Sequence, residues 1–499
     1  MPDPLRHWRH LAPARTALVD RRAGTRLTYA ELDACTARWC ALLAQQGVRR
    51  GDRVGLMSGN RLESIALFYA CGRLGAALVP WNWRLAAAEL APIVADSAVR
   101  LAIGEGRFRA AVEQADPTMR WLDVDADAPR MLERAGEAPP PVRVDAEDPW
   151  LVLYTSGSTG RPKGAMLPHR QLFWNAVATT TGWELSHRDV FPITTPLFHT
   201  GGWNVFATPG LQVGGTIVMW ERFEPADFLA GMAEERCTVA LTVPTQLVML
   251  LESPAWGRPL PALRSFFSGG AACPPSVLAR VRDAGYALRE GYGLTECGPN
   301  CFAISAEESV ANPGRVGRPI PFLEMRLVTD DGRDAAVDEP GELWLRGPQR
   351  FSGYLHAPEL TAEAITPDGW LRTGDLATRD AQGLYGLCGR RKEMYISGGE
   401  NVFPVEVEAA IADCPGVAEV VVVGVPDDRW GEVGRAFVVC RTGERVTEDA
   451  VLRHARGRLA GYKVPKGVVI LAELPRLGSG KADRRALAAL APAPSFSPR

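Results

Sequence analysis

At 499 residues the chain is longer than one hydrophobic core usually accommodates, so two or more domains are expected. Its composition, 46% hydrophobic and 23% charged, is that of a globular protein, and a formal net charge of -2 argues against a nucleic-acid-binding protein, which would carry a basic excess. The N-terminus has no apolar stretch of the secretory type, and no run approaches the roughly 20 apolar residues that span a bilayer. Ten scattered cysteines lack zinc-site or redox spacing, which indicates free thiols and favours a cytoplasmic location.

From residue 27 to residue 101, helical patterns alternate with short apolar strands, which predicts a layered α/β domain with parallel strands. The predicted helices of this stretch are 29–43 and 61–74. The predicted strands are 53–57, 76–79 and 99–103, and the alternation resumes with strands at 190–194, 215–219 and 239–243.

From about residue 320 to residue 385, short strands separated by Gly-, Asp- and Pro-containing turns predict a β-rich subdomain. A change of pattern near residue 390 then predicts two domains, residues 1–389 and residues 390–499. The smaller one is predicted to be α+β, with helices at 404–412 and 448–459 and strands at 418–423, 435–440 and 467–471.

A loop rich in serine, threonine and glycine, residues 154–164, directly follows the apolar run 150–153. Glycines let backbone N–H groups approach an anion without a Cβ atom in the way, and successive N–H groups form an anion-binding nest. The loop is not a Walker A motif, because Pro162 precedes Lys163 and Gly164 follows it. A flexible linker is the alternative, but its position between a strand and an amphipathic segment favours a polyphosphate site.

Further motifs follow this loop in a definite order. Residues 290–296 combine glycines, an aromatic ring, a hydroxyl and a carboxylate. The others are residues 371–375, 389–390 and 475–481. Of these, the first is predicted to place Asp375 in a turn, and the last ends on Lys481. Each is weak alone, since short glycine-containing strings arise by chance.

Together and in this order, the motifs resemble those of the acyl-adenylate-forming (AMP-binding) superfamily, in its acyl-CoA synthetase branch. The resemblance implies an α/β fold with a large N-terminal domain, made of two α/β subdomains plus a β-barrel-like subdomain, and a small mobile C-terminal domain. It implies a two-step reaction with ATP, Mg²⁺ and coenzyme A. A carboxylate first attacks the α-phosphate to give an acyl-adenylate and pyrophosphate, and a thiol then displaces AMP.

The resemblance also implies which residues contact ATP or AMP. These are Thr155, Ser156, Gly157, Ser158, Thr159, Gly160, Lys163, Gly270, Ala271, Tyr292, Gly293, Thr295, Asp375, Arg390 and Lys481. Tyr292 would stack on adenine, Asp375 and Arg390 would hold the ribose, and Lys481 would bridge the carboxylate and the α-phosphate. Glu296 and Thr155 would bind Mg²⁺.

Lys481, Thr155, Glu296 and His199 are the catalytic residues that the resemblance implies. His199 would act as a gate between the acyl pocket and the pantetheine tunnel, because the attacking carboxylate is already ionised and needs no base. A structural histidine is the alternative.

For the second step, the resemblance implies that Lys392 is the hinge of the small domain. Gly399 and Trp430 would contact coenzyme A, although an ordinary core aromatic is an equal alternative for Trp430.

The predicted acyl pocket is apolar and glycine-rich. It comprises His199, Thr200, Gly201, Trp203, Asn204, Val243, Ser268, Gly269, Gly291 and Gly298. Amino-acid-activating relatives carry an aspartate at the position of His199, so an α-amino acid substrate, whose buried ammonium would be unpaired, is disfavoured.

Apolar burial contributes about 0.8 kcal/mol per CH₂ group, which favours a medium- or long-chain fatty acid, with an aryl acid next. An enzyme that loads an acyl carrier protein, a luciferase-like oxygenase and a non-catalytic nucleotide-binding protein are the rivals. A homodimer is left open, and neither a nucleic-acid partner nor a membrane span is expected.

Overall fold

The computed structural model describes residues 3–140, 142–155, 162–271, 273–427, 429–478 and 480–490. Its helices have the following bounds: α1 Pro4–Leu11, α2 Tyr29–Gln45, α3 Leu62–Leu74, α4 Ala87–Ser97, α5 Arg109–Ala115, α6 Ala128–Glu133, α7 His169–Gly182, α8 Thr208–Gln212, α9 Pro225–Glu234, α10 Pro244–Glu252, α11 Pro275–Asp283, α12 Ala306–Ala311, α13 Pro358–Ala364, α14 Pro404–Ala412, α15 Glu448–Arg456 and α16 Arg484–Leu490. Short 3₁₀-helices cover Gly106–Phe108 and Thr295–Cys297, and a π-helix covers Gly201–Ala207. Among these described helices, none is long and apolar enough to cross a membrane.

The strands have the following bounds: β1 Thr16–Asp20, β2 Thr25–Thr28, β3 Arg53–Met57, β4 Ala77–Pro80, β5 Leu101–Gly104, β6 Arg120–Asp123, β7 Pro149–Thr155, β8 Lys163–Pro168, β9 Val190–Ile193, β10 Thr216–Met219, β11 Val239–Thr242, β12 Ser265–Ser268, β13 Leu288–Glu290, β14 Phe302–Ala303, β15 Arg315–Pro319, β16 Glu324–Val328, β17 Gly341–Arg346, β18 Gly353–Tyr354, β19 Leu371–Arg379, β20 Tyr385–Arg390, β21 Tyr395–Ser397, β22 Glu400–Val402, β23 Val417–Asp427, β24 Gly431–Cys440 and β25 Gly467–Leu471.

The largest sheet has seven strands in the order β18-β8-β7-β4-β3-β5-β6. Strands β7, β4, β3, β5 and β6 run parallel, as the alternation of helices and strands predicts, whereas β8 and β18 join one edge antiparallel. Helix α2 begins at a capping box, in which Thr28 and Glu31 satisfy each other's backbone N–H groups. Helix α3 ends at Gly75, whose φ of 69° is the left-handed conformation that glycine adopts without strain.

Two further sheets continue the α/β architecture. The first has the order β2-β1-β10-β9, and the second is the parallel set β11-β12-β13. They meet where Thr238 N donates to Val190 O at 3.1 Å. Parallel strands place all their carboxyl ends at one edge, which is where ligands bind in open α/β sheets.

The predicted β-rich subdomain is a six-stranded sheet in the order β14-β15-β20-β19-β17-β16, with antiparallel neighbours throughout. The prediction that Asp375 lies in a turn is wrong, because Asp375 lies within β19 and pairs with Arg390 of β20. Gly374, with φ of 72°, and a register shift against β17 between Arg372 and Leu376 mark a bulged strand. The sequence of residues 371–375 resembles a turn because glycine and aspartate are common both in turns and in bulged strands.

A separate five-stranded sheet, β22-β21-β24-β23 with β25 on β24, forms the C-terminal part. Helices α14 and α15 contribute to its own hydrophobic core. The chain passes from the six-stranded sheet to this one between Arg390 and Tyr395. The division into domains at residues 389 and 390 stays a prediction.

An aromatic stack fixes α3 against the large sheet. The Trp150 ring lies between Phe68 at 4.5 Å and His169 at 4.4 Å, and its Nε1 donates to Phe68 O at 2.6 Å. A Cβ atom on Gly72 of α3 would lie 2.3 Å from Trp150 Cε2. The indole cannot yield, because both of its faces and its N–H group are occupied.

We therefore expect Gly72→Ala to destabilise the protein by about 1–3 kcal/mol, the usual effect of overpacking a core. The measurement is the melting temperature, with Gly461→Ala as control, because a Cβ atom at Gly461 meets nothing within 4 Å. Equal melting temperatures for the two variants would contradict this account.

Candidate active site

Two glycine-containing loops meet at the carboxyl ends of β12 and β13. The first contains Gly269, Gly270 and Ala271, and the second contains Gly291 and Tyr292. Gly291 N donates to Ser268 O at 2.8 Å, which ties the loops together. A side chain cannot replace the next glycine, because a Cβ atom on Gly293 would lie 2.1 Å from the carbonyl carbon of Pro299. The structure therefore brings the predicted adenine-binding residues to one edge of the parallel sheet.

A buried carboxylate stands at the centre of the predicted nucleoside site. Tyr292 Oη donates to Asp375 Oδ2 at 2.5 Å, and Arg390 Nε lies 3.0 Å from Asp375 Oδ1. Burial and the charge of Asp375 raise the pKa of Tyr292 well above its usual value, so its hydroxyl remains a donor. Within the part of the chain that the structure describes, each oxygen of Asp375 has one protein partner, and a carboxylate oxygen has a second lone pair with which to accept a ribose hydroxyl.

The predicted phosphate loop is bracketed by the hairpin of β7 and β8. Thr155 and Lys163 pair across this hairpin and stand at the two ends of the loop. The predicted phosphate ligands Ser156, Gly157, Ser158, Thr159 and Gly160 lie outside the described residues. Lys163 Nζ lies 5.2 Å from the centroid of the Tyr354 ring, within cation–π range.

Glu296 is the predicted magnesium ligand. It lies in the 3₁₀-helix Thr295–Cys297, and its Oε1 accepts a hydrogen bond from Tyr354 Oη at 2.8 Å. The described residues contain no group of three or more His, Cys, Asp or Glu side chains that could hold a metal ion by themselves. This donor set fits Mg²⁺, which is commonly held by one or two carboxylates together with substrate phosphates.

Lys481 reaches this cleft from the C-terminal part of the chain. Asn82 Nδ2 donates to Gly478 O at 2.9 Å, which docks the loop that carries Lys481. Lys481 remains in contact with solvent, yet partial loss of water and the charge of Arg390 lower its pKa, while Asp375, Glu393 and Glu296 oppose that effect. The charges that act on Lys481 thus include three predicted nucleotide or metal ligands. A bound polyphosphate would relieve the repulsion between Lys481 and Arg390.

His199 follows β9 on a segment whose backbone is held in place. Asn60 accepts a hydrogen bond from Leu197 N and donates to Thr195 O, both at 3.0 Å. Sequence reasoning missed Asn60, because a single asparagine after a strand carries no distinctive pattern. Burial, followed by the charges of Lys481 and Arg84, lowers the pKa of His199 to about 4. His199 is therefore neutral at pH 7.

The predicted acyl-pocket residues separate into two groups. Gly201 begins the π-helix, and Val243, Gly269 and Gly291 are partly exposed where strands end. His199 is also partly exposed, and the others are buried, namely Thr200, Trp203, Asn204, Ser268 and Gly298.

Trp203 is fully buried, packs on Phe68 at 4.9 Å and donates its indole N–H to Leu197 O. The structure thus places Trp203 in the core rather than in the lining of the predicted pocket. Asn204 donates to Thr200 Oγ1 at 3.1 Å, so these two polar groups satisfy each other. The π-helix itself was missed, because a glycine-rich start gives no helical signal, although π-helical turns are frequent at functional sites.

The predicted coenzyme A residues lie on the C-terminal sheet. Gly398 and Gly399, with φ of 63° and 87°, form the tight turn between β21 and β22. Trp430 packs against Gly398, is 38% exposed and lies under the guanidinium of Arg429 at 5.0 Å. The predicted hinge, Lys392, is exposed in the turn between β20 and β21.

Comparison with known proteins identifies the family. Residues 5–355 match the model of the AMP-binding enzyme family, and residues 406–481 match that of the AMP-binding enzyme C-terminal domain. The chain belongs to the AMP-binding enzyme family.

Relatives extend over nearly the whole of this AMP-binding enzyme. It is 40% identical over 479 residues to feruloyl-CoA synthase of Amycolatopsis sp, covering 96% of each chain. It is 38% identical over 486 residues to indoleacetate–CoA ligase of Aromatoleum aromaticum, covering 94% of each chain. It is 33% identical over 486 residues to long-chain-fatty-acid–CoA ligase of Mycobacterium tuberculosis, covering 96% of this chain and 95% of that one.

A solved structure agrees with this assignment. O-succinylbenzoate CoA synthetase of Bacillus subtilis, in complex with its acyl-adenylate intermediate, superposes with a TM-score of 0.90 at 30% identity, covering 98% of each chain. The same enzyme has also been solved with ATP and a magnesium ion. The AMP-binding enzyme described here is an AMP-forming acyl-CoA synthetase of the predicted fold, and ATP, Mg²⁺ and coenzyme A fit its family.

The depressed pKa of His199 has a consequence for stability. A histidine in the unfolded chain has a pKa of about 6.5, whereas His199 in the folded chain has a pKa of about 4. Below pH 6.5, His199 therefore binds a proton in the unfolded chain but stays neutral in the folded chain. Because the unfolded chain binds more protons, the free energy of unfolding decreases as the pH falls towards 4.

We expect the melting temperature to decrease less for His199→Gln than for the wild type between pH 7 and pH 5. The exposed His187→Gln variant serves as control and should follow the wild type. A side-chain resonance of His199 that titrates near pH 6.5 would refute the assigned pKa.

Proposed function

We propose that this enzyme activates an aromatic carboxylic acid, aryl or arylalkyl, and transfers it to coenzyme A. The observation that carries the proposal is the identity of 40% and 38%, over nearly complete chains, to relatives named for feruloyl and indoleacetate thioesters. Both names denote flat, ring-containing acids. The fatty acid favoured by sequence reasoning becomes the second candidate, supported by the relative at 33% identity.

The partly exposed pocket positions also support an aromatic acid. Gly269 and Gly291 leave the ends of β12 and β13 without side chains, so a thin, planar group can approach the backbone closely. A Cβ atom on Gly291 would lie 3.7 Å from Trp183, whose ring stacks on Phe267 at 4.0 Å. A flat ring next to this aromatic pair gains stacking contacts that a linear chain does not.

In the proposed first step, the carboxylate of the acid attacks the α-phosphorus of ATP and pyrophosphate leaves. Asp375, Arg390 and Tyr292 hold the nucleoside, and Lys163 with the loop that it borders holds the outgoing phosphates. Lys481 lies between the two anions and stabilises the charge that develops as they join. Glu296, with Thr155 as the second predicted ligand, would hold Mg²⁺, which would supply Lewis-acid stabilisation of the phosphate oxygens.

In the proposed second step, the thiol of coenzyme A attacks the acyl carbon and AMP leaves. The small domain, residues 390–499, rotates about Lys392, which withdraws Lys481 and brings the turn at Gly399 to the site. Trp430 contacts coenzyme A, for which its exposed ring is suited. A carrier-protein thiol is the alternative acceptor, and a homodimer and a cytoplasmic location remain predictions.

The substrate proposal is tested with three acids of nine carbons: cinnamate, 3-cyclohexylpropanoate and nonanoate. Cinnamate has a planar ring, cyclohexylpropanoate a ring that is not planar, and nonanoate no ring. We expect kcat/KM for pyrophosphate release to be at least about 10-fold higher for cinnamate, within the discrimination that pocket shape provides. Coenzyme A thioester is measured in parallel, with a phosphopantetheinylated carrier protein as the competing acceptor.

A preference for nonanoate and longer chains would reject the aromatic acid and favour the second candidate. Failure of every organic acid to trigger Mg²⁺-dependent conversion of ATP to AMP would reject the proposed function altogether.

Removal of the bridging cation tests the proposed mechanism. We expect Lys481→Ala to slow acyl-adenylate formation by at least about 10²-fold, the effect of losing one preorganised transition-state contact. Attack of coenzyme A on supplied acyl-adenylate should be much less affected, because Lys481 acts only in the first step. Lys463→Ala is the matched control, since Lys463 also lies in the C-terminal part but pairs with Glu406 at 2.6 Å. Equal loss in both steps would refute this division of roles.

A further inference from the structure

A short segment, Phe351 to Leu355, connects two halves of the active site. At one end, Phe351 N donates to Glu296 O at 2.7 Å. At the other end, Leu355 N donates to Gly164 O at 2.7 Å, and β18 pairs with β8, the strand that begins at Lys163. The backbone of this segment therefore ties the predicted magnesium ligand to the end of the predicted phosphate loop.

The side chain of Tyr354 repeats this connection. Its Oη donates to Glu296 Oε1 at 2.8 Å, and its ring carries Lys163 Nζ at 5.2 Å from the centroid. A phenol hydroxyl, whose ordinary pKa is about 10, keeps its proton at neutral pH, so it is the donor to the carboxylate. One side chain thus contacts an anion at its edge and a cation at its face.

We propose that Tyr354 is a positioning residue for the magnesium and phosphate site, and that its hydroxyl holds Glu296 while its ring holds Lys163. The hydroxyl occupies one carboxylate oxygen of Glu296, which leaves the other for the metal. The ring restricts the long, flexible Lys163 side chain. Without this contact, the side chain would lose more conformational entropy when ATP binds. The inference rests on the proposed roles of Glu296 and Lys163.

A partly buried tyrosine that merely needs a hydrogen-bond acceptor is the alternative explanation. The two accounts differ in one measurable respect. Hydrogen-bond partners of metal ligands typically affect metal affinity or activity by roughly 10- to 100-fold, whereas a purely structural hydroxyl affects stability without regard to the metal.

The decisive variant is Tyr354→Phe, which removes the hydroxyl and keeps the ring. ATP affinity is measured by calorimetry in the absence of any acid, once with Mg²⁺ and once with a chelator. We expect MgATP to bind roughly 10- to 100-fold more weakly than to the wild type, and metal-free ATP to bind equally well. Unchanged MgATP affinity would overturn the proposal, and so would an equal loss with and without the metal.

A second variant, Tyr354→Leu, also removes the ring and is expected to weaken metal-free ATP binding as well. If metal-free ATP binds to it as tightly as to the wild type, the role of the ring is wrong. Tyr29→Phe is the control, because Tyr29 also donates its hydroxyl to a protein oxygen, Gly215 O at 2.7 Å. Melting temperatures of all variants separate binding effects from unfolding. Because the readout is ATP binding without an acid, a wrong assignment of the acid substrate leaves the comparison intact.

Discussion

Two anions, a carboxylate and a triphosphate, must come within bonding distance in an acyl-CoA synthetase of this kind, and Coulomb repulsion opposes them. At 4 Å that repulsion is about 1 kcal/mol in water and about 4 kcal/mol near a protein surface, per pair of unit charges. The cations that can offset this repulsion come from separate elements, namely Lys163 from β8, Arg390 from β20 and Lys481 from the C-terminal loop. Partial loss of water and the charge of Arg390 lower the pKa of Lys481, so an anion bound beside these two cations would reduce their mutual repulsion.

Asp375 keeps one of these cations, Arg390, in place. The register of β19 against β20 sets Asp375 opposite Arg390, and Tyr292 approaches the same carboxylate from the neighbouring loop. Asp375 is 6% exposed, so its charge acts strongly on both partners. The proposed nucleoside site is therefore assembled by strand pairing rather than by a flexible loop, which favours a fixed geometry before ATP binds.

Regular elements could be predicted from the sequence, whereas the contacts between them could not. The predicted segments 53–57, 404–412 and 467–471 coincide with β3, α14 and β25, because hydrophobic periodicity determines such elements locally. Asp375 was misplaced in a turn, since a bulged strand and a turn share glycine and aspartate. Tyr354 and Asn60 escaped notice because each acts on residues distant in sequence, and a single tyrosine or asparagine carries no periodic signal.

The segment that carries His199 is held more firmly than a swinging gate would require. Asn60 binds Leu197 N, the indole of Trp203 binds Leu197 O, and a Cβ atom on Gly202 would lie 2.6 Å from Pro196 O. Backbone movement there would break these contacts together, so opening of the proposed gate would have to come from the His199 side chain or from the C-terminal loop beside it. The charge of Lys481 is one of the causes that lower the pKa of His199. Withdrawal of that loop, in the proposed rotation of the small domain, would therefore raise the pKa of His199, so the proton affinity of the proposed gate would depend on the position of that domain.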